Sequence, residues 1–232
     1  MTAAPSAILP PVQPPSEPST LTVIGVDLSG PANVADTSLV VGRSAGQTLA
    51  VDSLVRGADD AAIFAAVTAA RARGHVIVGV DAPLSFQQGL RARDSALRQV
   101  LKDMSPGLER TIMPPTAPRM VYLTLRGVGL ARLLERHAGP GVHLVEVHPG
   151  SAMALRGAPP AALRSKRTLE GRAQLRRWLM GQPLTGLERV VLDRDHDIDA
   201  LAAALAAWDW ALGRPRWLAP PEPPHHPFAF AC

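Results

Sequence analysis

Cysteine is almost missing from this sequence: the one thiol, Cys232, stands at the last of 232 positions. A disulfide framework within the chain is therefore excluded, and a reducing compartment is expected. No apolar run approaches the length of a membrane span. The first residues lack the basic start and apolar core of a secretory signal, so the expected location is the cytoplasm. Aromatic residues are scarce, at 4%. Trp178, Trp208 and Trp210 fall in amphipathic stretches and are expected in the core rather than as base-stacking platforms, while Trp217 has no assigned role. Lysine is rare beside arginine. The net charge of +4 and a sequence pI of about 10.2 suit a polyanionic partner, but an arginine-rich composition produces the same balance without one.

What is present is enough for one full-sized domain, since 47% of the residues are apolar. The two ends differ from the middle. Residues 1–20 carry six prolines with no apolar periodicity and are expected to be a disordered lead. The tail over 214–232 is expected to be irregular, with five prolines after Ala219. Between them, over 21–213, the pattern alternates. Strands are expected at 22–28, 37–41 and 48–55, the last two separated by the turn-prone Gly42-Arg43-Ser44-Ala45-Gly46, giving an antiparallel meander. A helix over 59–73 opens on Asp59-Asp60 and stops at Gly74. Val76 to Val80 is apolar throughout, as suits a strand covered on both faces. Helices follow over 88–103 and 121–137, a strand over 142–147, and a basic helix from Thr168 to Gly181. Val190-Val191-Leu192 is either a short strand or the start of a helix. Ile198, Leu201, Leu205, Trp208 and Leu212 mark a final amphipathic helix. The order is β-β-β-α-β-α-β-α.

Carboxylates recur where the apolar runs stop. Asp27 ends the first, Asp81 the fourth, and Glu146 sits near the end of the fifth. Functional groups collect at strand ends because a rigid sheet presents them to solvent there. Converging acids repel one another unless a cation compensates, and Mg²⁺ or Mn²⁺ held by a few carboxylates is the usual solution. A fourth ligand is expected from the last helix. His196 and Asp199, three apart, share a face, whereas Asp197 lies about 200° around from Asp199. The catalytic set is thus Asp27, Asp81, Glu146, Asp199 and His196, the four acids being metal ligands. Each acid has a structural alternative: Asp27 and Asp81 as turn residues, Glu146 in an ion pair, Asp199 at a positive helix end.

Basic residues cluster later in the chain. Between Gly150 and Val190 there are eight Lys or Arg against two Glu, with Lys166-Arg167 and Arg176-Arg177 adjacent. They are read either as a solvated helix face or as contacts to a nucleic-acid backbone, DNA or RNA. On the second reading Ser29, Arg91, Arg93, Arg126, His148, Lys166 and Arg172 form the substrate rim. The oligomeric state is left open, a dimer included.

Taken together, Gly25-Val26-Asp27-Leu28-Ser29-Gly30-Pro31, Val80-Asp81-Ala82-Pro83-Leu84-Ser85, Glu146-Val147-His148-Pro149 and Asp199-Ala200-Leu201 resemble the domain of unknown function 429 family, regarded as nucleases. The element order resembles the RNase H-like fold, and the first motif with the last helix resembles its Holliday-junction resolvase branch. The resemblance implies an α/β fold with a five-stranded mixed sheet, a three-strand meander plus parallel strands, and helices on both faces. It also implies a metal-dependent nuclease with Asp27, Asp81, Glu146 and Asp199 as ligands. One departure is His196, where the resolvase pattern often has a carboxylate. Two other functions compete. A Gly-x-Asp strand followed by Ser-Gly also begins the phosphate loop of actin-like ATP-dependent phosphotransferases, although Ala82-Pro83 follows the second acid here. A non-catalytic binding module on the same fold is the other.

Overall fold

Residues 21–232 are described by the computed structural model; the lead expected to be disordered lies outside the described residues. The meander forms from β1 (Thr22–Asp27), β2 (Ser38–Ala45) and β3 (Thr48–Arg56). The turn expected over Gly42–Gly46 is mostly strand: β2 runs on to Ala45, which pairs with Thr48, so only Gly46-Gln47 turns. Gly46 takes φ +62°, a backbone open to glycine at little cost. The chain continues through α1 (Asp60–Arg71), β4 (Val76–Asp81), α2 (Ala92–Met104), α3 (Val121–His137), β5 (Val142–Val147), α4 (Pro149–Leu155), α5 (Pro160–Arg164) and α6 (Leu169–Met180). It ends in β6 (Leu184–Thr185), α7 (Asp195–Ala211), β7 (Leu218–Ala219) and β8 (Ala229–Ala231). Val190-Val191-Leu192 is neither strand nor helix. No helix among the described residues is long and apolar enough to cross a membrane.

The fold is mixed α/β, and its sheet has eight strands in the order β6-β3-β2-β1-β4-β5-β8-β7, not the expected five. The central five are as read: β1, β2 and β3 pair antiparallel, while β1, β4 and β5 run parallel. The additions are two-residue and three-residue strands, too short to leave an alternation in the sequence. Two of them come from the tail expected to be irregular. There β8 lies parallel to β5, β7 closes against β8, and Cys232 is buried. Burial pushes the Cys232 thiol up to about 12, which keeps it from acting as a nucleophile.

Helices cover both faces, as expected. Alternate residues of the central strands divide between two cores. Ile24, Val26, Val76, Val78 and Val80 pack with α1 and α3 through Ile63, Val67, Leu130 and Leu134. Val23, Ile77, Val145 and Val147 pack on the other side with α2, α4, α5, α6 and α7. The last helix is not amphipathic but buried at every position from Asp197 to Asp209. Its alanines let it lie directly on the sheet: a methyl group on Gly25 would stand 2.1 Å from the Ala200 carbonyl oxygen, and one on Gly79 would stand 2.7 Å from that of Ala203.

This close approach is testable. Gly25→Ala forces α7 off β1 and is expected to cost about 3 kcal/mol in urea unfolding, at the upper end of overpacking effects. Gly30→Ala, with nothing within 4 Å of the added methyl, is expected to stay within about 0.5 kcal/mol.

Candidate functional site

The parallel strands bring their carboxyl ends to one edge, and register decides which acids meet there. Asp27 pairs with Asp81 across β1 and β4. Both share the parity of Gly25 and Gly79, so both face α7. Glu146 pairs instead with Val80, one residue short of Asp81. That offset turns its side chain to the opposite face of the sheet. Three of the four acids therefore gather, and the fourth does not.

The position of Asp199 follows from the anchoring of α7. The buried Asp197 carboxylate accepts from Ser38 Oγ at 2.8 Å, from Arg56 Nη2 at 2.7 Å and from the Arg194 amide at 3.1 Å. These bonds tie the first turn of α7 to β2 and β3. Two residues on, the helix turns Asp199 toward Asp27 and Asp81. Three residues back from Asp199, His196 places Nδ1 at 2.6 Å from Asp27 Oδ2, so the expected face of His196 and Asp199 forms.

Lys166, from the α5–α6 connection, enters the same cluster and pairs with Asp199 Oδ2. Burial works against its ammonium, but Asp199, Asp27 and Asp81 outweigh that and hold it above the usual lysine range. It is a fixed cation and not a base. The acids are less well compensated. Burial, then repulsion from Asp199, raises Asp27 well above the ordinary carboxylate range. Burial, then Asp27 and Asp199, does the same to Asp81. Asp199 Oδ1 is buried without a hydrogen-bond partner.

These features bear on whether a divalent cation fits. Among the described residues no three His, Cys, Asp or Glu side chains are closed around a common point; Lys166 supplies positive charge there instead. The donor chemistry nonetheless suits a hard cation: three carboxylates, two of them raised by burial and by neighbouring acids, and one orphaned oxygen. Asp27, Asp81 and Asp199 are the residues that would hold it.

Glu146 belongs to a different network. Arg91 Nη1 reaches Glu146 Oε2 at 2.9 Å and Arg91 Nη2 bonds Oε1, while the Leu84 amide donates to Oε2 at 2.9 Å. Both oxygens are thus satisfied, which removes Glu146 from the ligand set. Arg91 also binds Asp94 Oδ1 at 2.6 Å and Ser85 Oγ at 2.9 Å. Ser85 in turn lies 2.8 Å from His226 Nδ1, and Phe230 packs 5.7 Å from the guanidinium.

Three arginines expected on a substrate rim are buried structural groups. Arg91 is the ion-pair centre just described. Arg93 donates to the Phe228 and Pro220 carbonyls, each at 3.0 Å, holding the tail. Arg126 joins α3 to the β1–β2 connection through the Ser29 carbonyl at 2.8 Å and Thr37 Oγ1 at 2.9 Å, and to the start of α1 through Asp60 Oδ1 at 2.9 Å. Ser29 Oγ is spent on the Asn33 carbonyl at 2.6 Å. Arg172 donates to the Arg167 carbonyl at 2.6 Å, which buttresses the loop bearing Lys166.

His148 keeps a place at the site. It caps α4, accepting from the Ser151 amide at 3.1 Å, and burial, then Lys166, pushes it down to about 4. It is therefore neutral, and it lines two cavities. One, of about 180 Å³, reaches Asp81 and Glu146. The other, of about 300 Å³, reaches Lys166, Arg167 and Arg110. Arg110 is the lining cation that sequence reasoning missed, whereas Arg167 belongs to the adjacent pair Lys166-Arg167 read above as a solvated face or a backbone contact.

Two outcomes follow. Because folding raises the Asp27 and Asp81 pKa values, the native state holds more protons than the unfolded chain above the ordinary carboxylate range. Stability then falls as pH rises through the raised values. The depressed His148 works the other way below the ordinary imidazole range, so the readout is differential: Asp81→Asn should raise the melting temperature relative to wild type more at pH 8 than at pH 5. Separately, Arg91→Met or Glu146→Leu alone should cost about 3–5 kcal/mol in urea unfolding, the double variant less than the sum.

No curated protein matches the chain. A family match spans residues 25–224 and takes in Asp27, Asp81, Lys166 and Asp199: the chain belongs to the family described as Protein of unknown function (DUF429).

Proposed function

We propose that the cleft hydrolyses phosphodiester bonds of nucleic acid with Mg²⁺ or Mn²⁺ held by Asp27, Asp81 and Asp199. The observation that carries this is the convergence of three carboxylates from β1, β4 and α7 beside a fixed ammonium. The order β3-β2-β1-β4-β5, with the first three antiparallel and β1, β4 and β5 parallel, resembles the RNase H-like arrangement and supports the reading. A reducing cytoplasmic setting is consistent with the single buried thiol.

The cation would supply Lewis-acid activation of water and of the phosphoryl group. The chain's own residues do the rest. In the tautomer protonated at Nδ1, His196 donates to Asp27 Oδ2, 2.6 Å away, and Nε2 of this half-exposed ring is free to accept a proton from water. Lys166 offers its ammonium to a phosphate oxygen, a charge the neighbouring acids keep in place. Neutral His148 adds no positive charge to repel Lys166 and lines both cavities.

An actin-like phosphotransferase is disfavoured, because Ala82-Pro83 follows the second strand-end acid where a glycine-rich loop is needed. The non-catalytic binding module retains one specific support, the occupation of Asp199 by Lys166.

Labelled DNA and RNA, single-stranded, duplex and four-way junction, distinguish these. Cleavage should require Mg²⁺ or Mn²⁺ and fall about 10²-fold or more in Asp27→Asn and Asp199→Asn. Equal rates from wild type and Asp27→Asn would overturn the proposal, and salt-sensitive binding without turnover would select the binding module.

A further inference from the structure

The larger cavity, of about 300 Å³, has a composition that the carboxylate cluster does not require. One wall is apolar, made of the buried Leu101, Leu108 and Leu163. The lining also carries three cations, Arg110, Lys166 and Arg167, and no carboxylate is among the lining residues. Arg110 and Arg167 are solvent-exposed. The nearest acid to Arg110 is Glu109 at 3.8 Å, and no carboxylate partners Arg167 among the described residues. With Arg110 beside Glu109 and Lys166 on Asp199, the uncompensated cation of the lining is Arg167, and an anion in the cavity supplies the missing negative charge.

The volume lies at the lower end of the range for small-molecule sites, about 300–1,000 Å³. A duplex is far too large for it, whereas a single phosphorylated nucleoside has the needed combination of a flat, weakly polar ring system and a compact anion. Lys166 connects the cavity to the chemistry, since it lines the wall while its ammonium bonds Asp199. A phosphate drawn to these cations is thereby delivered beside Asp27, Asp81 and Asp199.

We propose that this cavity binds one nucleoside monophosphate unit, its ring against Leu101, Leu108 and Leu163 and its phosphate on Arg110, Lys166 and Arg167. The inference deepens the nuclease reading by naming the substrate unit held next to the acids. It rests on that reading for the choice of a nucleotide over other phosphorylated compounds. Binding itself needs neither cation nor turnover.

The test is calorimetric titration of the full chain in EDTA with adenosine 5′-monophosphate, adenosine and inorganic phosphate. The nucleotide should bind about tenfold or more tightly than either adenosine or phosphate. Arg110→Ala/Arg167→Ala, both exposed positions, should weaken nucleotide binding about tenfold or more, with an unchanged melting temperature. Absence of nucleotide binding, phosphate binding as tightly as the nucleotide, or unchanged affinity in the double variant would each overturn the proposal. Since EDTA removes any cation, these results are independent of cleavage. A chain that cleaves but does not bind the nucleotide loses only this inference. One that binds but whose Asp27→Asn variant cleaves as well as wild type loses only the nuclease reading.

Discussion

The contact between α7 and the centre of the sheet governs the rest of the molecule. Glycine at positions 25 and 79 and alanine at 200, 203, 204 and 207 allow helix backbone to approach strand backbone with almost no side chain between them. That distance brings a short side chain such as Asp199 within reach of Asp27 and Asp81. A longer spacer would separate the three. The contact also explains why α7 is buried at every position from Asp197 to Asp209: one side lies on β1 and β4, and further helices cover the other. Its rotation is set independently at the first turn by the bonds of Asp197 to Ser38 and Arg56.

Buried charge is handled in two ways on the two faces of the sheet. On one face Glu146 meets Arg91, and every oxygen of the carboxylate is satisfied. This network links β5, the loop after β4 and the start of α2, and it reaches the tail through Ser85, His226 and Phe230. It is architecture. On the other face one ammonium serves three carboxylates, and the balance is left short. Groups raised by burial and by one another, with an orphaned oxygen among them, are costly to a fold that has no use for them. The contrast between the faces leaves the α7 side with the acids that the fold itself does not satisfy.

The tail joins these faces to the cleft. Arg93 holds the Phe228 and Pro220 carbonyls, and β8 extends the sheet beyond β5. Phe230, paired with Glu146 across β5 and β8, thereby becomes part of the wall of the smaller cavity. The Lys166 loop bounds the other side, and His148 stands between the two spaces.

Much was legible from local pattern. Strand-end acids at 27 and 81, the five central strands, helices on both faces, and the shared face of His196 and Asp199 all depend on spacings of a few residues. Those spacings are written directly in the chain. Parity within a strand is equally local, but comparing Glu146 with Asp81 requires the register between two strands far apart in sequence, and pairing alone decides it. The same holds for arginine. Arg91, Arg93 and Arg126 look like any exposed cations in a sequence, because burial and partnership depend on residues such as Glu146, Phe228 and Ser29 brought in from distant segments. Short tail strands escape for a related reason, since two or three residues carry no periodicity and gain their backbone partners only from an existing edge. Composition and spacing determined which residue types were available at the sheet edge; tertiary packing decided which of them share one face, because convergence is a long-range property of backbone approach and register.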